Sequence, residues 1–178
     1  MATIQLIIGS MFSGKSTELL RRCKTYLAIN KNVQIINHSN DTRCDDVVQT
    51  HDKTYLKAKK VNRLDMLKIE NKVDVVAIDE AQFFPDLIDF IVKNESRDII
   101  ILIAGLDGDS NRNKFGQILE CIPYANNVTK LNAMCAVCKD GTLGCFSKRL
   151  SNENEQICVG AEEKYVAVCR KCYLNKND

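Results

Sequence analysis

Apolar and polar positions along the first two-thirds of the chain follow the periods of strands and helices in turn. Short continuous apolar runs predict buried strands, because a strand covered on both faces shows no polar alternation; they lie at 3–8, 33–37, 73–78 and 98–104. Segments with one apolar side predict helices at 15–30, 61–72 and 86–93. The polar stretch 38–46 predicts a loop.

This alternation of strands and helices predicts an α/β fold with a parallel sheet covered on both faces. After about Leu131 the pattern changes, since cysteines cluster, helical periodicity fades, and Gly141 and Gly144 interrupt the chain. We therefore expect an α/β domain of the P-loop nucleotide-binding type over 1–130 and a small C-terminal lobe over 131–178.

Composition and charge exclude several classes of protein. The chain has 178 residues, of which 45% are apolar and 27% charged, so it can bury a core and is not disordered as a whole. A formal charge of +2 argues against binding to nucleic acid or membranes through charge alone. The apolar run 99–104 is too short to span a bilayer, and the first ten residues lack signal-peptide features, so a cytoplasmic protein is expected.

Residues 9–16 read Gly-Ser-Met-Phe-Ser-Gly-Lys-Ser and fit the phosphate-loop pattern G-x-x-x-x-G-K-[ST] without a mismatch. They follow a predicted strand and open a predicted helix, where free backbone N–H groups and the helix dipole favour phosphate oxygens. Lys15 is expected to reach the β- and γ-phosphates of a nucleotide, and Ser16 to bind Mg²⁺. The alternative is a glycine turn that fits the pattern by chance.

Two carboxylates, Asp79 and Glu80, end the apolar run 73–78. In phosphate-loop proteins an aspartate at such a strand end orients Mg²⁺, a role that falls to Asp79. Glu80 is then available to polarise water or to accept a proton from a substrate hydroxyl. The alternative is an acidic pair that caps the next helix. Nucleotide hydrolysis, as in a switch or motor ATPase, and phosphoryl transfer both fit these motifs.

Four of the nine cysteines form two C-x-x-C pairs, Cys135 with Cys138 and Cys169 with Cys172. In a reducing compartment, four thiolates favour a closed tetrahedral Zn²⁺ site of structural type. Two redox pairs and four buried thiols are the competing interpretations. A zinc ribbon would also suit a module that binds nucleic acid.

Several motifs together resemble the type II, zinc-containing thymidine kinases. The phosphate loop at 9–17 (GSMFSGKST) includes that family's Met-Phe pair. The other matches follow in the family's order: D-T-R at 41–43, T-H-D at 50–52, the segment 78–86, L-D-G at 106–108, F-G at 115–116, Lys164-Tyr165 and the two C-x-x-C pairs. The resemblance therefore covers nearly the whole chain.

The resemblance implies transfer of the γ-phosphate of ATP to the 5′-hydroxyl of thymidine or deoxyuridine, with Mg²⁺, in pyrimidine salvage. Glu80 would be the general base, while Arg43 and Lys15 would stabilise charge on the transferred phosphoryl group. The implied Mg-ATP site comprises Gly9, Ser10, Met11, Phe12, Ser13, Gly14, Lys15, Ser16, Thr17, Asp41, Asp79 and Gln82.

The resemblance also implies a nucleoside pocket covered by residues 147–165. Its apolar walls would be Met11, Phe83, Leu106 and Phe115, and Tyr165 would complete it. Backbone groups would hold the thymine edge, at Gln156, Ile157, Cys158, Val159 and Gly160. Members of the family are commonly homotetramers that the end-product triphosphate inhibits.

Asp109-Ser110 departs from the family, which usually has Thr-Phe after L-D-G. The change removes an aromatic residue from near the base and adds a carboxylate, so deoxycytidine or a broader set of deoxynucleosides is a possible substrate class. The main alternative function is a P-loop ATPase whose zinc ribbon binds nucleic acid or a protein partner. The nearly neutral charge disfavours that alternative.

Overall fold

A computed structural model of the protein describes residues 1–41, 47–49, 55–150 and 164–175. The strands, numbered along the chain, are β1 (Thr3–Gly9), β2 (Val33–His38), β3 (Val47–Gln49), β4 (Tyr55–Lys57), β5 (Lys59–Val61), β6 (Val75–Ile78), β7 (Ile100–Leu106), β8 (Asn127–Leu131), β9 (Ala133–Met134), β10 (Leu143–Gly144), β11 (Phe146–Arg149) and β12 (Tyr165–Val168). The helices are α1 (Lys15–Ala28), α2 (Leu87–Asn94) and α3 (Arg170–Leu174), with 3₁₀ turns at Ala81–Phe83 and Ile118–Tyr124.

Within the described residues, six strands form a parallel sheet in the order β5-β2-β6-β7-β1-β8. Helix α1 covers one face, where Leu19 and Cys23 pack with Ile7 of β1. Helix α2 and the 3₁₀ turn Ile118–Tyr124 cover the other face, where Leu87 packs with Leu6. The predicted α/β fold is confirmed, because apolar strands of this kind need cover on both faces.

The predicted strands and the helices at 15–30 and 86–93 are confirmed, with ends shifted by one or two residues. The helix predicted at 61–72 is wrong. Strand β5 ends at Val61, and turns follow, in which Leu64 and Leu67 are buried in the core. Backbone N–H groups of Leu64 and Asp65 donate to the two carboxylate oxygens of Asp86, at 3.1 and 2.9 Å. Turns stabilised by Asp86 therefore bury the apolar residues of this segment, and no helix forms there.

The C-terminal part of the chain folds as two antiparallel pairs of strands, β9 with β10 and β11 with β12, followed by α3. Its small apolar cluster contains Cys135, Val168, Cys169 and Cys172, with Phe146 packed against them. None of the helices in the described part of the chain is long and apolar enough to cross a membrane.

We predict that Asp86→Ala lowers the free energy of unfolding by about 2–4 kcal/mol, because the N–H groups of Leu64 and Asp65 lose a buried, charged acceptor. Urea denaturation of the purified protein measures this change. Asp65→Ala is the matched control, since Asp65 is exposed and its side chain forms an ion pair with the exposed Arg63. The control should lose less than about 1 kcal/mol. Equal losses in the two variants would contradict this account of the turn.

Candidate functional site

The motifs that carry chemistry meet at the carboxyl edge of the parallel sheet. Gly9, at the end of β1, pairs in register with Leu106, at the end of β7. Ile78, at the end of β6, pairs with Ile103 and leads directly into Asp79 and Glu80. Parallel strands bring their carboxyl ends to one edge, which is where ligands bind in open α/β sheets.

The backbone conformation of the segment between β1 and α1 depends on the glycines at its two ends. A side chain at Gly9 would clash with the carbonyl oxygen of Leu131, and Gly14 has a left-handed φ of 82°. Helix α1 begins at Lys15, so its first N–H groups lie at the end of this loop. Lys15 Nζ donates to the Ser10 carbonyl at 2.7 Å.

The hydroxyl of Ser13 lies in the same loop. Its Oγ is buried and has no hydrogen-bond partner among the described residues. A buried hydroxyl without a partner costs free energy, so this position suits a ligand that brings oxygen atoms of its own. The loop, the helix start and this hydroxyl together fit a phosphate group.

The carboxylates after β6 are held in different ways. Asp79 is buried, while Glu80 is half-buried and has a left-handed φ of 51°, which is rare for a residue other than glycine. Gln82 Nε2 donates to Glu80 Oε2 at 2.6 Å, and Gln82 Oε1 accepts from Leu106 N at 3.0 Å. The buried Gln82 side chain therefore fixes the Glu80 carboxylate to the end of β7.

Aromatic rings lie beside this acidic pair. Phe83 and Phe115 meet edge to face, with ring centroids 5.5 Å apart. Phe84 is fully buried in the core, so one of the two adjacent phenylalanines is structural. The His38 ring lies between Asn62 O, 3.2 Å away, and Asn40 N, and burial lowers the pKa of His38. His38 is thus a neutral hydrogen-bonding residue at neutral pH.

Asp109 stabilises its own loop. Its Oδ1 accepts the backbone N–H groups of Asn111 and Asn113, at 2.9 and 2.8 Å. The loop also contacts α3, since Tyr173 Oη donates to the Ser110 carbonyl at 2.7 Å. The carboxylate that departs from the family pattern therefore has a structural role in the described residues.

The four cysteines of the C-x-x-C pairs lie together, with all four Sγ atoms within 4.8 Å of one another. Desolvation raises the pKa of the Cys135 thiol, but N–H groups of Cys138 and Cys169 outweigh it and lower that pKa to about 6. Four convergent sulfur atoms, one of them readily deprotonated, fit a tetrahedral metal ion.

Two other thiols, Cys23 and Cys121, lie outside this cluster. Both are buried in the core, and burial raises the pKa of each to about 12. A thiol with so high a pKa stays protonated and neither reacts readily nor binds metal at neutral pH.

Other predicted site residues lie around the same edge. Asp41 follows β2 and accepts from Asn37 Nδ2 at 2.8 Å, and Ser16 and Thr17 lie in the first turn of α1. Tyr165 is buried on β12, where its hydroxyl accepts from Arg149 Nε and Nη2 at 3.2 and 2.9 Å. Arg43 and the segment 156–160 lie outside the described residues.

Two residues of the C-terminal part contact the loop: Gly144, which the sequence analysis did not include in the site, and Ser147, the first residue of the segment that it expected to cover the nucleoside. Ser10 Oγ donates to the Gly144 carbonyl at 2.9 Å, and the Met11 N–H donates to Ser147 Oγ at 2.9 Å. Neither contact has a sequence signal, since the partners lie more than 130 residues apart.

Comparison with known proteins identifies the family. The sequence model of the family described as thymidine kinase matches residues 2–173. The thymidine kinase of Myxoma virus (strain Uriarra) is 45% identical over 173 residues, which cover 96% of each chain. Those of Monkeypox virus and Vaccinia virus (strain Western Reserve) are 43% and 42% identical over 174 residues, covering 97% of each chain. With its parallel sheet and paired C-x-x-C motifs, this chain belongs to the thymidine kinase family.

Proposed function

We propose that the protein transfers the γ-phosphate of ATP to the 5′-hydroxyl of thymidine, and of deoxyuridine, in pyrimidine salvage. The observation that carries the proposal is the position of Glu80, which Gln82 fixes to the end of β7, at the same carboxyl edge of the sheet as the strand–loop–helix segment. A positioned carboxylate next to a phosphate-binding loop suits removal of a proton from an attacking hydroxyl.

The loop and the start of α1 would bind ATP. Backbone N–H groups at the helix start favour the phosphates, and Ser13 Oγ, buried without a partner among the described residues, fits an additional phosphate oxygen. When ATP binds, the Lys15 ammonium group would leave the Ser10 carbonyl and donate to the β- and γ-phosphates instead. Ser16 and the buried Asp79 would hold Mg²⁺, which supplies charge neutralisation on the phosphates when bound.

Glu80 would act as general base. Its left-handed backbone directs the residue out of the strand path, and the bond from Gln82 occupies one carboxylate oxygen. The Glu80 carboxylate would accept the proton of the 5′-hydroxyl as the hydroxyl oxygen attacks the γ-phosphate and ADP leaves. By the family resemblance, Arg43 would stabilise the charge of the transferred group.

The nucleoside would lie against Met11, Phe83, Leu106 and Phe115, with Tyr165 beside it. The edge-to-face pair of Phe83 and Phe115 supplies an apolar wall for the thymine ring. Backbone groups of 156–160 would bind the edge of the base, as in the family. Because Asp109 accepts amides of its own loop, its carboxylate does not favour a cytosine amino group, so thymidine is the preferred substrate.

The family resemblance supports further inferences on assembly and regulation. We infer a cytoplasmic homotetramer that the end-product triphosphate inhibits. Such a triphosphate carries both the base that would bind in the nucleoside pocket and the phosphates that would bind to the loop. A role in nucleic-acid binding is disfavoured by the formal charge of +2.

The cysteine cluster would hold one structural Zn²⁺. Its four sulfur atoms fill a tetrahedral coordination sphere, so the ion would have no open position for water and no part in the reaction. The surrounding apolar cluster is small, so the metal would supply much of the stability of this region.

We predict that transfer of label from γ-labelled ATP is efficient with thymidine and deoxyuridine and weak with deoxycytidine and deoxyguanosine. Glu80→Gln should lower kcat for thymidine by about 10²–10⁴-fold, because the general base is lost. Glu95→Gln is the matched control, since Glu95 is exposed at the end of α2, away from the carboxyl edge, and should leave kcat unchanged. Release of free phosphate alone with every nucleoside would favour the ATPase alternative.

We also predict that the purified protein contains about one zinc ion per chain. Cys138→Ser should lose the zinc and melt at a lower temperature, because three thiolates no longer close the site. Cys145→Ser is the control, because Cys145 lies in the same region but outside the cluster. This variant should retain the metal. Elemental analysis and thermal melting provide the measurements, and zinc retention by Cys138→Ser would refute the assignment.

A further inference from the structure

Lys60, on the edge strand β5, is bonded to the segment that follows β2. Its Nζ donates to the Asp41 backbone carbonyl at 2.6 Å. Lysines on an edge strand commonly point to solvent and prevent pairing with another sheet, and the preceding residue, Lys59, is exposed in this way. Lys60 is half-buried instead, and its ammonium group lies at the carboxyl end of β2. Lys60 therefore makes a specific contact, beyond the general role of charge on an edge strand.

A second side chain holds Asp41 by its carboxylate. In the parallel pairing of β2 with β5, Asn37 is the partner of Lys60, so the two side chains project from the same face of the sheet. Asn37 Nδ2 donates to Asp41 Oδ2 at 2.8 Å, and the Asp41 N–H donates to the His38 carbonyl at 2.9 Å. Three contacts thus fix the carbonyl, the carboxylate and the amide of Asp41.

The base of this turn is rigid. Asn37 is fully buried, and its Oδ1 accepts the His38 N–H at 2.8 Å. The ring of His38 is also engaged, because its Nδ1 accepts the Asn40 N–H at 3.1 Å. These contacts all lie within 37–41, whereas Lys60 reaches Asp41 from another strand. The bond from Lys60 therefore fastens the turn to the neighbouring strand β5.

The turn that holds Asp41 lies beside the strand end that carries Asp79. Strands β2 and β6 are neighbours in the sheet, and the Asp79 N–H donates to the carbonyl of Ile36 on β2 at 2.9 Å. Asn37 directly follows Ile36, so the side chain that holds the Asp41 carboxylate begins next to Asp79. Carboxylates from neighbouring strands at a carboxyl edge suit a Mg²⁺ ion that carries phosphates.

We propose that Lys60 is a positioning residue that holds Asp41 in place for the binding of Mg-ATP. The inference rests on the proposed function, which assigns Mg²⁺ to Ser16 and Asp79, and on the family resemblance, which includes Asp41 in the Mg-ATP site. Lys60 itself lies outside every motif that the sequence analysis matched to the family. Without its bond, Asp41 would lose one of three contacts, and ordering that residue would cost part of the binding free energy.

Calorimetric titration of the zinc-containing full chain with a non-hydrolysable ATP analogue and Mg²⁺ measures binding without turnover. Lys60→Met keeps most of the side-chain length and removes the donor. It should raise the dissociation constant by about 3–10-fold, a part of the effect of one charge-assisted hydrogen bond. Lys60→Arg retains the charge and the donors, so it should bring the dissociation constant back to within about 2-fold of that of the unaltered protein.

Lys59→Met is the matched control, because it removes the same charge from the adjacent, exposed position. A general loss of attraction between the charge of the protein and ATP would weaken binding equally in the two variants. Loss of the specific contact would affect Lys60→Met alone. The affinity for thymidine should change less than the affinity for the nucleotide, because its proposed pocket lies around Phe83 and Phe115.

Hydrogen exchange of the protein without nucleotide is the second measurement. The Asp41 amide, which is bonded to the His38 carbonyl, should exchange faster in Lys60→Met than in Lys59→Met or the unaltered protein. The reason is that the turn is no longer fastened to β5. This measurement needs no ligand, so it tests the structural step of the inference by itself.

The outcomes separate the two proposals. Failure of the unaltered protein to bind the ATP analogue would overturn the proposed function, and this inference with it. Binding that Lys60→Met leaves unchanged would overturn this inference alone, and so would an equal loss of affinity in Lys59→Met. Unchanged exchange of the Asp41 amide in Lys60→Met would also overturn it, since Lys60 would then not hold the turn.

Discussion

The common direction of the sheet strands is the constraint on which the arrangement of this molecule depends. Because β1, β6 and β7 run parallel, the loop at 9–14, the Asp79-Glu80 pair and the segment after Leu106 all emerge at one edge. The strands themselves are almost entirely buried and supply a rigid base for these segments. The edge therefore collects amide, hydroxyl, carboxylate and aromatic groups that lie far apart in the sequence.

The groups at this edge are held by other residues at some cost in free energy. Glu80 keeps a left-handed backbone, which costs about 1–3 kcal/mol for such a residue and persists because the surroundings fix it. Gln82 is central to that support, since its amide joins Glu80 to Leu106 and its own backbone packs so closely against Gly116 that a side chain there would clash. The carboxylate is thus held in place by the protein itself, which suits the general-base role proposed for Glu80.

The sequence analysis was strongest where a local pattern has one physical solution. The phosphate loop could be predicted because residues 3–16 combine a buried strand, glycines and a helix start. The cysteine cluster could be predicted because the paired C-x-x-C motifs require nearby thiols. It was wrong at 61–72, because the carboxylate of Asp86, more than 20 residues away, takes the N–H groups of that segment. It also missed the contact of Ser147 with Met11 and the loop around Asp109, since hydrogen bonds between distant residues leave no periodic signal.

ATP and thymidine are proposed to meet at the carboxyl edge of the sheet. Hydrogen exchange of the backbone amides, followed by mass spectrometry with each ligand added in turn, tests it most directly. The account predicts that an ATP analogue slows exchange at 9–17, and that thymidine slows exchange at 81–84 and 106–116. Protection confined to the amino edge of the sheet, at 1–3, 94–99 and 125–127, would contradict it.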